Sequence, residues 1–340
     1  MRFNEQRTTY YRKQFLGLRN VPDLAKILNT DTHALFSVAS NPQYRRFQIN
    51  KKSGGVREIT VPNDSLGSVQ KWLNFFLQSV YSSDILSPVH GFVRSSEKYR
   101  KAAGCCRSII SNAAMHLQKK YVLNIDLADF FSSVSASRVK HIFTNYPFYF
   151  DLDLATCLAL ICTYEKKLPT GSPTSPMLSN FACLSLDRHL FQLAADHQLT
   201  YTRYADDISF SSQNLISDLV IEKIKSVIVA SKFQINGKKW RVQSQNSTQT
   251  VTGIKVNQKL NVDRKYIRKL RAVFHDIETN GISRAAATYF SNNKRKNPEK
   301  EMLQSISGKI DFIRQVKGEN DPVYLRYFDK LRIVKSQTVA

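Results

Sequence analysis

The sequence predicts an α+β protein in which antiparallel strands are combined with amphipathic helices. Residues 47–61 form two alternating runs around Gly54-Gly55, the pattern of a β-hairpin. Residues 200–210 carry β-favouring side chains on both sides of a short turn at Asp206-Asp207, which predicts a second hairpin. Between them, apolar residues recur at helical spacing, as from residue 66 to residue 80.

The N-terminal part is predicted to be helical and basic up to about residue 45, with Pro22-Asp23 opening one helix. The hairpin that follows carries Lys51-Lys52 and Arg57. Basic groups on a hairpin can bind phosphates, and a solvated charged face is the ordinary alternative for any one of them.

Three further helices are predicted in the middle of the chain. One opens at Ser135, and another is an apolar segment at about residues 152–164, too short to span a membrane and therefore expected in the core. Residues 168–176 form a loop rich in turn residues, which ends with Ser175-Pro176 as the expected N-cap and first-turn proline of the third helix.

The segment 121–127 is predicted to be a short, mostly apolar strand with a single charge at Asp126. An ionised carboxylate in an apolar strand is costly unless it is paired or binds a metal. No basic residue lies beside Asp126 in the strand. The sequence therefore makes Asp126 a candidate metal ligand.

Asp206 and Asp207 are the second candidate site for a cation. Two carboxylates about 4 Å apart would repel by roughly 4 kcal/mol at an effective dielectric near 20, so a divalent cation between them explains the pair. The ordinary alternative is surface chemistry, because aspartate in a turn satisfies its own backbone. An aspartate on a neighbouring strand would complete a metal site.

The charge of the chain points to a polyanionic partner. Its 340 residues include 50 Lys and Arg against 27 Asp and Glu, a formal net charge of +23. No stretch approaches the roughly 20 apolar residues of a membrane-spanning helix, which favours nucleic acid over membrane.

The N-terminus and the cysteines indicate the compartment. The first ten residues are polar and contain no apolar signal region, so we expect the protein to stay in the cytoplasm. The five cysteines form no Cys-x-x-Cys pair, and reduced, mostly buried thiols are expected rather than disulfides or a zinc site.

The chain becomes more basic from Val251 onward. Asp263 is expected to cap a helix with one apolar stripe, and Gly281 is expected to end it. Arg268 and Lys269 lie mostly away from that stripe. Such a helix can pack on one side and follow a nucleic-acid backbone on the other.

Taken together, these segments resemble the reverse transcriptases, and within them the retron type. Five motifs carry the resemblance, and it extends from about residue 47 to residue 257. In chain order they are Asn112-Ala-Ala-Met-His116, Asn124-Ile-Asp-Leu-Ala-Asp-Phe-Phe131, Leu168-Pro-Thr-Gly-Ser-Pro-Thr-Ser-Pro176, Tyr204-Ala-Asp-Asp207 and Val251-Thr-Gly253.

The resemblance implies a right-hand polymerase fold. Residues 1–45 would be an N-terminal helical, basic extension, residues 46–250 the interleaved fingers and palm with an antiparallel sheet, and residues 251–340 a helical, basic thumb. It further implies that Asp126, Asp206 and Asp207 are the catalytic carboxylates and hold two Mg²⁺ ions.

The resemblance also implies a nucleotide site. Arg57 would hold the triphosphate, and Phe131 would be the steric gate that excludes a 2′-hydroxyl, although a core phenylalanine is the alternative. Thr170 stands where the family usually has glutamine. The palm lysine near the leaving pyrophosphate would be Lys238 or Lys239.

Two motifs that mark retron enzymes suggest an RNA-recognition surface. Asn112 and His116 are spaced one helical turn apart and would share a helix face, where polar partners within the protein are the ordinary explanation. The resemblance assigns them, with Val251, Thr252 and Gly253, to recognition of the cognate RNA. The basic side chains of Arg268 and Lys269 are further candidates for RNA contacts.

The expected function is RNA-directed DNA synthesis in the bacterial cytoplasm. The family implies a cognate non-coding RNA as template and primer, dNTP substrates, an RNA–DNA hybrid product joined through a 2′-hydroxyl, and anti-phage defence with an accessory effector protein. The alternatives are another small reverse transcriptase, of the group II intron or diversity-generating type, and a non-catalytic RNA-binding scaffold.

Overall fold

A computed structural model describes residues 5–50, 54–81, 88–95, 106–237, 240–291 and 295–339. The strands are β1 (Tyr44–Asn50), β2 (Val56–Pro62), β3 (Tyr121–Ala128), β4 (Thr200–Tyr204), β5 (Asp207–Ser212), β6 (Gln234–Ile235), β7 (Arg241–Ser244), β8 (Thr250–Val251) and β9 (Ile254–Lys255). The helices are α1 (Glu5–Leu16), α2 (Val21–Ile27), α3 (Thr32–Ser40), α4 (Asp64–Tyr81), α5 (Ile109–Ala114), α6 (Ala136–Thr144), α7 (Leu152–Cys162), α8 (Ser175–Ala182), α9 (Leu184–Asp196), α10 (Asp218–Ala230), α11 (Arg264–Asn280), α12 (Ile282–Tyr289), α13 (Pro298–Lys317) and α14 (Pro322–Val339).

The chain divides into two compact units. The first consists of Met1–Asn112 and Leu123–Val242, and the second of Ala113–Val122 and Gln243–Ala340. The assignment of residues 1–45, 46–250 and 251–340 to extension, fingers with palm, and thumb stays a prediction.

The N-terminal helices share the hydrophobic core of the first unit. Phe15 of α1 is fully buried and stacks on Phe76 of α4, with 5.6 Å between ring centroids. The ring of Phe150 packs edge-to-face against Phe15, with 5.5 Å between the centroids. Aromatic rings packed in this way bury large apolar areas, so α1 is an integral part of this core.

The first predicted hairpin is confirmed. β1 and β2 pair antiparallel from Asn50 opposite Val56 to Tyr44 opposite Pro62, so the hairpin begins three residues earlier than the sequence pattern suggested. Gly54 and Gly55 both have positive φ, at 86° and 83°, a conformation that glycine adopts without steric cost. Lys51 and Lys52 lie outside the described residues.

The central sheet of the first unit has the strand order β4-β5-β3-β6. β4 and β5 pair antiparallel as the second predicted hairpin, and β3 pairs antiparallel with β6. Most of β3 is buried, as expected for its nearly continuous apolar run. The α+β class predicted from hairpins and helical stripes is therefore observed.

The predicted helices at residues 66–80, after Ser135 and at residues 152–164 are confirmed as α4, α6 and α7. The expected cap of α8 is wrong by one residue, because Thr174 is the N-cap and Ser175 is already helical. The Ser175 hydroxyl donates instead to the carbonyl of Pro169, 2.7 Å away, and so closes the preceding loop on itself.

The second unit contains the predicted basic helix as α11. Asp263 caps it by accepting from the Lys265 N–H at 2.6 Å, and Gly281 ends it with φ of +79°. The apolar stripe is buried, and Phe274 stacks on Tyr327 of α14 with 5.6 Å between the centroids. The charged residues of α11 remain on the outer face, as the sequence predicts.

Four cysteines lie in the part of the chain that the structure describes. Cys157, Cys162 and Cys183 are buried and Cys106 is exposed, and all four are free. Burial raises the pKa of the Cys157 thiol to about 11, which disfavours the reactive thiolate. Within the described ranges, no helix has the length and apolar character needed to cross a bilayer.

Candidate active site

The strand that carries Asp126 lies against the turn that carries Asp206. The N–H of Leu127, directly after Asp126 in β3, donates to the carbonyl of Asp206 at 3.0 Å. β5, which begins at Asp207, is the neighbour of β3 in the sheet. Two segments about 80 residues apart in the chain thus bring their aspartates to adjacent backbone positions.

Asp126 is held by a neighbour that the sequence did not identify. Its side chain is 5% exposed, and its Oδ2 accepts a hydrogen bond from Asn236 Nδ2 at 3.0 Å. The Asn236 N–H also donates to the Asp126 carbonyl, at 2.8 Å. Asn236 therefore fixes both the backbone and one carboxylate oxygen of Asp126. Asn236 precedes Gly237, a pair typical of turns, and nothing in that pattern points to a contact with Asp126.

Asp206 and Asp207 lie at a two-residue hairpin turn. Tyr204 pairs with Asp207, which leaves Ala205 and Asp206 as the turn residues. Ala205 has φ of +57°, a conformation uncommon for residues other than glycine. Both aspartates are half-buried, in contrast to the buried Asp126.

The three carboxylates do not form a ready-made metal cluster. Among the residues that the structure describes, no group of three His, Cys, Asp or Glu side chains is arranged so that it could hold a metal ion. Mg²⁺ commonly uses one or two carboxylates and takes its other ligands from water and substrate phosphates. Hard oxygen donors from Asp126 and from the adjacent turn match that mode of binding.

Phe130 and Phe131 follow β3 and lie in different surroundings. Phe130 is 6% exposed and stacks on Phe233 at 5.9 Å, so it belongs to the core. Phe131 is half-buried, and its ring lies 6.1 Å from that of Phe92. Phe130 is therefore the core phenylalanine of this pair. The role of Phe131 as a steric gate stays a prediction.

The loop that contains Thr170 is bonded to the first hairpin. The Thr170 hydroxyl accepts from the Thr60 N–H and donates to the Glu58 carbonyl, both at 3.1 Å. A Cβ added to Gly171 would lie 2.7 Å from the Thr60 oxygen, so only glycine allows this approach. The Thr170 hydroxyl thus forms its hydrogen bonds with the backbone of β2. The nucleotide contact of Thr170 stays a prediction.

The other predicted nucleotide contacts are only partly described. Arg57 is exposed on β2, opposite Ile49. Lys238 and Lys239 lie outside the described residues, so the choice between them stays open.

A buried ion pair lies next to the turn at Ala205-Asp206 and was not anticipated from the sequence. Arg203 of β4 and Asp187 of α9 are both fully buried and form two hydrogen bonds, Nε to Oδ1 at 2.7 Å and Nη2 to Oδ2 at 2.6 Å. Burial alone would lower the pKa of Arg203, but the carboxylate of Asp187 outweighs it and raises that pKa well above its ordinary value. Arg203 is therefore charged in the folded protein. The sequence signal that could have indicated this ion pair is Arg203 itself, the single charged residue of β4.

The retron-type motif at residues 112–116 is buried. Asn112 and His116 are each 0% exposed. The prediction that they share a helix face is wrong, because α5 ends at Ala114 and His116 lies in the following turn, where its N–H donates to the Ala113 carbonyl at 3.0 Å. A direct contact of either side chain with RNA stays a prediction.

The second such motif is a hairpin turn. Val251 is buried in β8, which pairs with β9. Thr252 and Gly253 form the turn, with φ of 48° and 81°. Positive φ at both central positions is the hairpin geometry that matches the twist of paired strands.

A basic groove of about 1190 Å³ lies within the second unit. Its lining includes no acidic side chain among the described residues, and the polar remainder is mostly amides. Arg268 lines it, and Lys269 is exposed on the same helix. The basic lining residues are Lys119, Lys255, Lys259, Arg264, Arg268, Arg271, Lys317 and Arg326.

Comparisons with known proteins show what the chain is similar to. Residues 49–256 match the reverse transcriptase (RNA-dependent DNA polymerase) family. The chain is 31% identical over 330 residues to the retron Ec86 reverse transcriptase of Escherichia coli, covering 94% of this chain and 93% of that protein. It is 33% identical over 255 residues to the retron Mx65 reverse transcriptase of Myxococcus xanthus, covering 68% of this chain and 55% of that protein. A solved telomerase from Candida albicans, in complex with a telomeric RNA fragment, aligns with a TM-score of 0.43 at 9% identity, over 88% of this chain and 64% of that one.

The family match covers the strands and loops that form the candidate site, and the similarity to the E. coli protein extends over nearly the whole chain. The predicted right-hand polymerase fold and RNA-directed DNA polymerase activity are therefore confirmed. The chain belongs to the reverse transcriptases and, within them, to the retron type.

Proposed function

We propose that this RNA-directed DNA polymerase performs its chemistry at Asp126, Asp206 and Asp207, which would hold two Mg²⁺ ions. The observation that carries the proposal is the hydrogen bond between the Leu127 N–H and the Asp206 carbonyl, which joins the two acidic segments. Carboxylates carried by adjacent backbone segments repel each other, and bound cations would offset that repulsion.

The chain's own residues orient the reactants. Asn236 donates to one oxygen of Asp126 and would thereby orient that carboxylate for a metal contact. When bound, Mg²⁺ supplies acidification of the attacking hydroxyl and charge stabilisation at the phosphorus and the leaving pyrophosphate. Arg57 would bind the triphosphate, and the half-buried ring of Phe131 would lie beneath the sugar and exclude rNTPs.

The test is the substitution Asp206→Asn, which keeps the shape of the side chain and removes its charge. We expect primer extension on oligo(dT)-primed poly(rA) in Mg²⁺ to fall at least about 1,000-fold, because a catalytic group is lost. RNA affinity, measured by filter binding, should stay nearly unchanged. Asp153→Asn, the same change at an exposed position in α7, is the matched control and should keep full activity. Full activity in Asp206→Asn would overturn the proposal.

We further propose that the groove in the second unit binds a cognate structured RNA. Eight basic side chains without an acidic one in the described lining favour a phosphate backbone. The turn at Thr252-Gly253 lies in the same part of the chain, between the lining residues Asn246 and Lys255. The net charge of +23 adds long-range attraction for the same ligand.

The retron relationship supports a finer proposal about the product. The enzyme would prime from a 2′-hydroxyl of its RNA and make a single-stranded DNA that remains joined to that RNA. We also propose a role in anti-phage defence with an accessory effector protein. Plaque counts on cells with the intact gene cluster and with Asp206→Asn would test that role, and equal counts would contradict it.

A further inference from the structure

A buried hydrogen-bond network connects the catalytic turn with α8 and α9, and none of the proposed metal or nucleotide contacts uses it. Besides its two bonds to Asp187, Arg203 donates through Nη1 to the carbonyl of Ala205 and to Oδ1 of Asn180, each at 3.0 Å. The Tyr201 hydroxyl donates to Oδ1 of Asp187 at 2.7 Å, the oxygen that also accepts from Arg203 Nε. One guanidinium therefore bonds an acid, an amide and the turn itself.

Residues 88–91 contact the same turn from another direction. Arg203 exchanges backbone hydrogen bonds with this segment, donating to Pro88 and accepting from His90, each at 2.8 Å. Gly91 follows, and its carbonyl accepts from Asn180 Nδ2 at 3.0 Å. Asn180 thus joins Arg203 to Gly91.

Gly91 is packed directly against the turn backbone. A Cβ at this position would lie 2.4 Å from the Ala205 nitrogen and 3.0 Å from the Tyr204 carbonyl carbon. No side-chain carbon is accommodated at 2.4 Å from a backbone atom. The absence of a side chain at residue 91 is therefore required for the turn to lie where it does.

The turn needs such support because Ala205 has φ of +57°. A residue other than glycine persists in a sparsely populated conformation only when its surroundings determine it. Here Arg203 binds the Ala205 carbonyl and Gly91 contacts the Ala205 nitrogen. Both peptide groups of Ala205, one of which leads directly to Asp206, are thereby fixed.

We propose that Arg203 and Gly91 are positioning residues that fix the Ala205 peptide and thereby aim the Asp206 carboxylate at the metal site. The inference rests on the proposed role of Asp206 as a metal ligand. Groups that orient a metal ligand typically affect metal affinity or activity 10- to 100-fold, roughly, when they are changed. A network with a merely structural role would affect folding and leave the response to metal unchanged.

The first variant is Arg203→Lys, which keeps the buried positive charge beside Asp187. An ammonium group cannot reproduce the planar set of bonds that the guanidinium makes. We expect the Mg²⁺ concentration for half-maximal primer extension to rise about 10-fold and kcat to fall by a similar factor, while the Kd for primed poly(rA) stays within about twofold. Mn²⁺, which nitrogen and oxygen ligands generally bind more tightly than Mg²⁺, should restore part of the activity.

The second variant is Gly91→Ala, which displaces the turn and leaves the pair of Arg203 and Asp187 chemically intact. It should raise the Mg²⁺ requirement in the same way. Gly67→Ala is the matched control, because a Cβ at residue 67 of α4 would meet only Pro62 Cγ, at an ordinary 3.6 Å. The control should keep the parent's Mg²⁺ response and kcat.

Thermal unfolding of each variant separates folding from positioning. If Arg203→Lys does not fold, the Mg²⁺ requirement of Gly91→Ala tests the inference. A folded variant with the parent's half-maximal Mg²⁺ concentration would overturn the inference, even if its melting temperature were lower. Failure of the proposed function has a different signature, since Asp206→Asn would then remain active in Mg²⁺ whatever the result at residues 91 and 203.

Discussion

Phe130 and Phe131 are adjacent and identical in type, but they lie in different surroundings. β3 ends at Ala128, and Asp129 has φ of +48°, so the chain turns before the two rings. Phe130 faces the core and Phe233, whereas Phe131 stays half-buried near Phe92. Phe131 thus stays partly accessible five residues after Asp126, and its contact with the sugar of a bound nucleotide remains a prediction.

At the residue scale we predict that Phe131→Ala weakens the discrimination against ribonucleotides. Removing the ring removes the clash with a 2′-hydroxyl, and steric exclusion of this kind is worth about 10-fold or more. The measurement is the ratio of kcat/KM for dTTP to that for UTP on primed poly(rA). Phe191→Ala, at a 45% exposed phenylalanine of α9, is the control and should leave the ratio unchanged. An unchanged ratio in Phe131→Ala would assign the gate to another residue.

Single residues were predictable where their chemistry conflicts with their surroundings. Asp126 was evident because an apolar strand does not accommodate an unassisted carboxylate. Asn236 and Asp187 were not evident, since their partners lie 110 and 16 residues away. Which helix face meets which strand is decided by tertiary packing, and the spacing of residues along the chain does not encode it.

At the level of elements, local signals determined most boundaries. The alternation in β1 and β2 and the Asp263 cap of α11 require only neighbours within a few residues, and both are observed. The turn at His116 was missed because helical spacing continues past the point where α5 ends. Capping and tertiary contacts end a helix there, and a pattern of residue types does not report them.

The element that carries the sharpest prediction is α11. Its buried stripe fixes the helix in the second unit, and Arg268 lines the basic groove. Neutralised phosphates release counterions, so each contact contributes about 0.7 to 0.9 to the slope of log affinity against log salt. Arg268→Glu should therefore reduce that slope by about one when RNA binding is measured from low to moderate salt.

The control for this experiment is Arg188→Glu, the same charge reversal on an exposed residue of α9. Long-range repulsion affects both variants, whereas the loss of a phosphate contact is specific to Arg268. Equal slopes in the two variants would place the RNA elsewhere on the protein.

The whole molecule combines a compact unit containing the candidate catalytic site with a second unit that contains a basic groove. Under the proposed function, this division would separate chemistry in the first unit from RNA recognition in the second. The net charge of +23 favours polyanion binding in general. We therefore expect selectivity for one RNA to come from shape and from the amides that accompany the basic groups.

The last prediction concerns the nucleic acid that copurifies with the whole protein from its native host. If the groove selects a cognate RNA and synthesis starts at a 2′-hydroxyl, the parent protein should carry one structured transcript joined to a short DNA, and a debranching enzyme should separate the two. Asp206→Asn should carry the same transcript without DNA, because recognition does not depend on the carboxylates. Sequencing before and after debranching makes both comparisons. Mixed cellular RNA on the parent protein would contradict cognate recognition, and DNA without a branch would contradict priming from the 2′-hydroxyl while leaving the polymerase assignment intact.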